Sequence, residues 1–158
     1  MASFSFANSL DDLKRQARLP STSVSTLKKL SLHENSEIRQ LVASNRKSTE
    51  NILHSLAFDT DSQVRITVAT NLNTTEKTYL VLVKDVDDSV RSVVARFEYI
   101  SPAILDILSH DLKTNIRFEV AKNLNTSIKT LNLLSKDTDP DVRASAFQGL
   151  QQRKDENN

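Results

Sequence analysis

Apolar residues recur along this chain at helical spacing, and the recurrence itself repeats. Val64 and Val68, Val90 and Val94, and Ile116 and Val120 are each four apart, so each pair shares one helix face. A second stripe follows after a polar interval, with Leu105 beside Leu108 and Leu131 beside Leu134. Ile38-Arg39, Val64-Arg65, Val90-Arg91, Ile116-Arg117 and Val142-Arg143 fall 26 residues apart every time, without an insertion. A fixed period of this length marks a repeat architecture, in which no unit buries its stripe alone and stacking supplies the stability.

The period divides the chain into repeats 38–63, 64–89, 90–115 and 116–141. Residues 1–37 form an N-terminal cap with a degenerate repeat at 12–37, and 142–158 form a half repeat with a polar tail, frayed from Gln151 onward. Further columns keep the register: Ala17, Ala43, Ala69, Ala95 and Ala121 in one, Leu30, Leu56, Leu82, Leu108 and Leu134 in another. Ser23, Thr49, Thr75, Ser101 and Ser127 form a third, and hydroxyls of this kind favour the N-cap of a helix. Pro102 and Pro140 each follow a capping residue, as suits the first helical position. Each repeat therefore reads as two helices. The longer begins near Asp61, Asp87 or Asp139 and ends near Asn45, Asn71 or Asn123, where Asn accepts a left-handed helix end. The shorter runs about nine residues, to Phe58, Lys84, His110 or Lys136. At the front, Ser9 with Asp12 starts an amphipathic helix. The fold class is all-α, an α-solenoid of five two-helix repeats plus a C-terminal half repeat.

Composition agrees. One glycine and three prolines in 158 residues leave little for the turns of a β-fold. A net charge of +1, from 21 basic and 20 acidic residues, is no footprint for nucleic acid. The absence of cysteine removes thiolate chemistry and iron–sulfur ligation. No apolar run approaches ~18 residues and the start lacks a signal-peptide pattern, so a cytoplasmic protein without a membrane segment is the expectation.

The string Val64-Arg65-Ile66-Thr67-Val68-Ala69-Thr70-Asn71, then Thr74-Thr75, Leu82 and Asp85-Val86-Asp87, resembles the leucine-rich repeat variant family, a relative of the HEAT-like solenoids. It returns from Ile38 to Asp61 and from Ile116 to Asp139, and the resemblance covers about residues 12–147. It implies a right-handed superhelix in which a regular α-helix alternates with a shorter helix, α or 3-10. The family's frequent Pro after Asn and Thr is mostly missing, with Leu72, Leu124, Thr75 and Ser127 there instead. The iron–sulfur cluster of some members has no cysteine to hold it here. Such scaffolds serve many partners, so the resemblance speaks to fold.

Candidate chemistry is sparse. Arg39, Arg65, Arg91, Arg117 and Arg143 form a ladder in step with Asp59, Asp61, Asp85, Asp87, Asp111, Asp137 and Asp139 just upstream of each next Arg, which reads as structural pairing. His33, His54 and His110 lack metal-ligand spacing, and Gly149 alone cannot make a phosphate loop. Other basic residues, Arg46, Lys47, Lys77, Arg96, Lys122 and Lys129, are interleaved with Glu50, Glu76, Glu98 and Glu119, as on a solvated face.

One repeat departs from the rest. Where its neighbours read Asn-Leu-Asn-Thr, repeat 90–115 reads Phe97-Glu98-Tyr99-Ile100. Rings in this column read either as a locally rearranged core or as a contact surface; since aromatic residues concentrate at binding hot spots, Arg96, Phe97 and Tyr99, with Phe118 and Lys122 from the next repeat, form the candidate contact patch. The expected function is a monomeric, non-catalytic protein–protein interaction scaffold with no cofactor or metal. The alternatives are a nucleic-acid-binding HEAT-like protein and an accessory subunit of an enzyme.

Overall fold

A computed structural model describes residues 9–155, and among them every regular element is an α-helix. The chain divides into two compact units, Met1–Thr74 and Thr75–Asn158. The first holds α1 (Leu10–Arg18), α2 (Val24–Leu30), α3 (Ser36–Ser44), α4 (Glu50–Leu56) and α5 (Ser62–Ala69). The second holds α6 (Glu76–Leu82), α7 (Asp88–Arg96), α8 (Pro102–Leu108), α9 (Thr114–Lys122), α10 (Ile128–Leu134) and α11 (Pro140–Asp155).

Long helices stack on long helices, α1 on α3 and α3 on α5 in the first unit, α7 on α9 and α9 on α11 in the second. The β-branched residue beside each ladder Arg and the Ala five positions on are the points of contact. Ile38, Val42, Ala43, Val64, Val68, Ala69, Val90, Val94, Ala95, Ile116 and Val120 are all fully buried. Ala here is a matter of space, since it lets helix axes approach. The short helices add Leu27, Leu53, Leu82, Leu105 and Leu131 to the core. Burying one such side chain contributes ~1.5–3 kcal/mol.

The serines of the capping column behave as their chemistry dictates. Ser23, Ser101 and Ser127 Oγ accept from the N–H groups of Thr26, Ile104 and Thr130, and Ser9 caps α1 through the N–H of Asp12. The short helices are α-helical and end two residues before the expected stop. After Leu56 the chain closes with bonds of 3-10 type, Phe58 N–H to Ser55 O and Asp59 N–H to Leu56 O. Two other expectations are corrected. No described residue has positive φ; Asn45 and Asn123 leave their helices in extended conformation, at φ −72° and −70°. And the last segment does not fray at Gln151: α11 continues to Asp155, while 156–158 lie outside the described residues. Gly149 stands where an Asn would stop this helix, and it stays helical. A Cβ there would lie 3.3 Å from both methyls of Leu131, so the missing side chain lets α11 press onto α10.

Candidate functional site

Two hydrogen-bonded ladders fix every loop that the candidate residues share. The first is ionic. Arg39 donates from Nε and Nη2 to Asp59 at 2.6 and 2.8 Å, Arg91 to Asp111 at 2.7 and 3.2 Å, and Arg117 to Asp137 at 2.7 and 2.9 Å. The carboxylate partner is thus the Asp twenty residues after each Arg, at the end of the same repeat, and not the Asp upstream of it as the sequence suggests. The upstream Asp contributes its backbone instead. The carbonyls of Asp59, Asp85, Asp111 and Asp137 accept from Nη1 of Arg65, Arg91, Arg117 and Arg143. Each side chain is also a turn acceptor, Oδ1 taking the N–H two residues on, at Asp61, Asp87, Lys113 and Asp139. These forks are nearly enclosed, with Arg91 and Asp111 side chains 14% and 7% exposed. The Asp137 carboxyl lies below the usual carboxylate range because Arg117 donates to it. At Asp111 burial pushes the carboxyl up, but the hydrogen bonds from Arg91 and the Lys113 N–H outweigh it and hold the group low.

The second ladder is neutral. Asn45 Nδ2 donates to the carbonyls of Ala17 and Leu19, Asn71 to those of Ala43 and Asn45, and Asn123 to those of Ala95 and Phe97. Two positions on, Asn73 Nδ2 serves Arg46 and Ser48, and Asn125 Nδ2 serves Glu98 and Ile100. Next in line, Thr22, Ser48, Thr74 and Thr126 each turn a hydroxyl back to the carbonyl six residues earlier. The motif Asn-x-Asn-Thr is a set of three clamps: the two amides reach into the preceding repeat, and the hydroxyl closes on its own. In α11 Arg153 Nη2 takes over one clamp by donating to the carbonyl of Leu124.

Repeat 90–115 has replaced all three clamp residues at once. Phe97 and Tyr99 stand at the two amide positions and Ile100, 1% exposed, at the hydroxyl position. The loop's own carbonyls still receive Asn123 and Asn125 from the next repeat, so its backbone is held. The rings form a chain: Tyr79 lies 6.3 Å from Phe97, and Phe97 lies 5.6 Å from Tyr99 at 73°. Tyr79 is buried, Phe97 half-buried and Tyr99 66% exposed. Burial raises the Tyr79 phenol, and a hydrogen bond with Glu98 raises that of Tyr99. An edge-to-face ring pair adds ~0.5–1.5 kcal/mol, so Phe97 braces Tyr99 from beneath.

Arg96 is exposed at the end of α7, and Lys122 is exposed in the same column of α9. The Lys122 ammonium sits 5.2 Å from the Phe118 ring centre, on a half-buried phenyl. The five candidate residues thus fall into two groups, the Arg96 loop with its rings and the Phe118–Lys122 pair. Sequence reasoning missed Leu124, which lies between the two clamping asparagines and is 82% exposed. Its column runs Arg46, Leu72, Glu98 and Leu124, and Leu72 is likewise exposed, at 69%, so what sets Leu124 apart is its place in the repeat next to the altered loop. No group of His, Asp and Glu among the described residues is placed to hold a metal ion, and no described helix is long and apolar enough to cross a membrane.

No protein-family model and no curated protein matches the chain. Among solved structures, a leucine-rich repeat variant with a novel repetitive structural motif superposes with a TM-score of 0.69 at 24% identity, over 88% of this chain and 55% of its own. An engineered protein shares 16% identity at a TM-score of 0.47, over 92% of this chain and 90% of its own. The first comparison establishes the fold as a helical repeat of the leucine-rich repeat variant type. The chain spans about half the length of that protein.

Proposed function

We propose that the chain is a non-catalytic, monomeric scaffold that docks a protein partner on the Arg96, Phe97 and Tyr99 loop together with Phe118, Lys122 and Leu124. One observation carries this reading: three clamp residues are exchanged together, and the exchange leaves a braced tyrosine in solvent. A structural repair would bury its rings, and Tyr99 is 66% exposed. Rigid aromatic area flanked by long cations suits a partner segment with an apolar anchor and acidic flanks. Glu98, the acid in the loop, accepts from the Tyr99 hydroxyl and keeps its charge, and Arg96 and Lys122 together outnumber it. The ladder arginines are turned to aspartates and carbonyls and take no part.

A photo-crosslinking residue placed at Tyr99 tests this in extracts of the source cell. It should yield a discrete protein adduct, while the same residue at Val86, which is 96% exposed, should not. With the crosslinking residue moved to Lys122, Tyr99→Ala and Arg96→Glu should each abolish the adduct with the fold intact by circular dichroism. Equal labelling from both positions would defeat the proposal. A duplex-DNA affinity well tighter than micromolar at physiological salt would favour a nucleic-acid partner instead, since non-specific binding lies near ~10⁻⁴–10⁻⁶ M.

A further inference from the structure

His33 occupies the column filled in every later repeat by the ladder aspartate, Asp59, Asp85, Asp111 and Asp137. It also performs two of that residue's three tasks, the Arg twenty residues earlier having no counterpart at Leu13. Its backbone carbonyl accepts from Arg39 Nη1 at 2.8 Å, as Asp59 O accepts from Arg65 at 2.7 Å. Its Nδ1 accepts from the N–H of Asn35 at 3.0 Å, where each aspartate Oδ1 accepts from the residue two ahead at 2.9 Å. Asn35 is the N-cap of α3, its own Oδ1 accepting from Glu37 and Ile38 N–H, so this bond orients the start of the first full repeat.

The chemistry of the two acceptors differs. An imidazole accepts at Nδ1 only while neutral with its proton on Nε2, and the imidazolium donates from both nitrogens. A carboxylate remains an acceptor until far lower pH. We propose that His33 is a proton-operated latch on the first repeat: neutral, it holds the turn before α3; protonated, it turns a second N–H toward Asn35 and releases it. The bond is present with the neutral ring and absent with the imidazolium, whereas the other repeats make the same turn with a carboxylate oxygen. The charged groups on the elements packed at this turn are Lys28 and Lys29 in α2, Glu34 in the turn, and Glu37 and Arg39 in α3. Lys14 in α1 joins them through its ion pair with Glu37, as do Asp59, paired with Arg39, and Asp61 beyond α4. The Arg39 guanidinium is the positive charge bonded to the His33 carbonyl. A released turn loosens α1 and α2 from α3, whose Ile38, Val42 and Ala43 they help enclose.

Amide hydrogen exchange on the full chain, corrected for intrinsic rates, tests this between pH ~7.5 and ~5.5. Protection at Asn35, Glu37 and Ile38 should fall roughly five-fold, the weight of one hydrogen bond, while Asp61, Lys113 and Asp139 hold theirs. His33→Asp should abolish that pH dependence, and His33→Phe should lower protection at both pH values. Nitrogen NMR of the wild-type ring supplies a readout without substitution, with the Nε2–H tautomer expected at pH ~7.5. Protection that stays flat with pH, an Nδ1–H tautomer, or an unchanged pH dependence in His33→Asp would overturn the latch.

Discussion

Arg117 holds two aspartates in opposite directions along the chain. Its Nε and Nη2 donate to the carboxylate of Asp137 at 2.7 and 2.9 Å, and its Nη1 donates to the carbonyl of Asp111 at 2.9 Å. Every donor face of the guanidinium fork is therefore used, which a lysine cannot imitate. Arg117→Lys should lower stability by about 1–2 kcal/mol in urea unfolding, and a loss below ~0.3 kcal/mol would mean that a point charge suffices.

The same geometry at Arg91 and Asp111 predicts coupling. Arg91→Ala and Asp111→Ala should each cost ~1.5–3 kcal/mol, the range for hydrogen bonds to charged groups. The double variant should fall short of their sum by at least ~1 kcal/mol. Additive losses would show that the two side chains act independently in solution.

Acid should act on these pairs in a defined window. The Asp111 and Asp137 carboxyls lie below their ordinary values in the folded chain, so the unfolded chain binds protons more readily. Their contribution is complete above the ordinary carboxylate value of ~3.9 and is lost as pH falls below it. Asp137→Asn should lower the urea midpoint at neutral pH and reduce its decline between pH ~5 and ~2. An undiminished decline would assign acid sensitivity to other groups.

The amide clamps invite a test of the donor itself. Asn123→Ala removes both donations, to Ala95 and Phe97 carbonyls, and should cost about 2 kcal/mol. Asn123→Asp keeps the shape but offers carbonyls a carboxylate that cannot donate. It should be at least as damaging at pH ~7, and stability closer to wild type than Asn123→Ala would refute the donor role.

Gly149 in α11 sets helix propensity against space. Gly149→Ala gains ~1 kcal/mol of helix preference while its Cβ meets two Leu131 methyls at 3.3 Å, which a small rotation relieves. A net gain below ~1 kcal/mol is expected, and Gly149→Val should be destabilising. A loss for Ala above ~1 kcal/mol would show that the α10–α11 contact is rigid.

The period of the chain was legible in the sequence because packing requires it. The Ile/Val-Arg column, the Ala column and the Leu columns each recur at one depth in the core, so burial prints them at fixed spacing. The direction of pairing was not legible, since aspartates lie in step with the arginines on both sides and only the path of the loop selects Asp111 for Arg91. The amide clamps were hidden for a similar reason. Asn45, Asn71 and Asn123 look like left-handed helix stops, and nothing local reveals that their Nδ2 groups serve carbonyls 26 and 28 residues earlier. The substitution at Phe97, Tyr99 and Ile100 was visible as a break in pattern. Its content, an exposed ring braced by a half-buried one, depended on which of the three faced inward.

In the amide ladder each repeat works as a connector with a plug and a socket: asparagine donors are the plug, and backbone carbonyls are the socket. A socket made of main chain survives any change of side chain, while a plug is lost by substitution. Duplicating a 26-residue segment copies both halves together, so a new repeat arrives already matched to its neighbours. The repeat at 90–115 keeps its socket, filled by Asn123 and Asn125, and has given up its plug. Its loop is no longer obliged to supply amide donors, and so it is the stretch of the array most free to be shaped by something outside the chain.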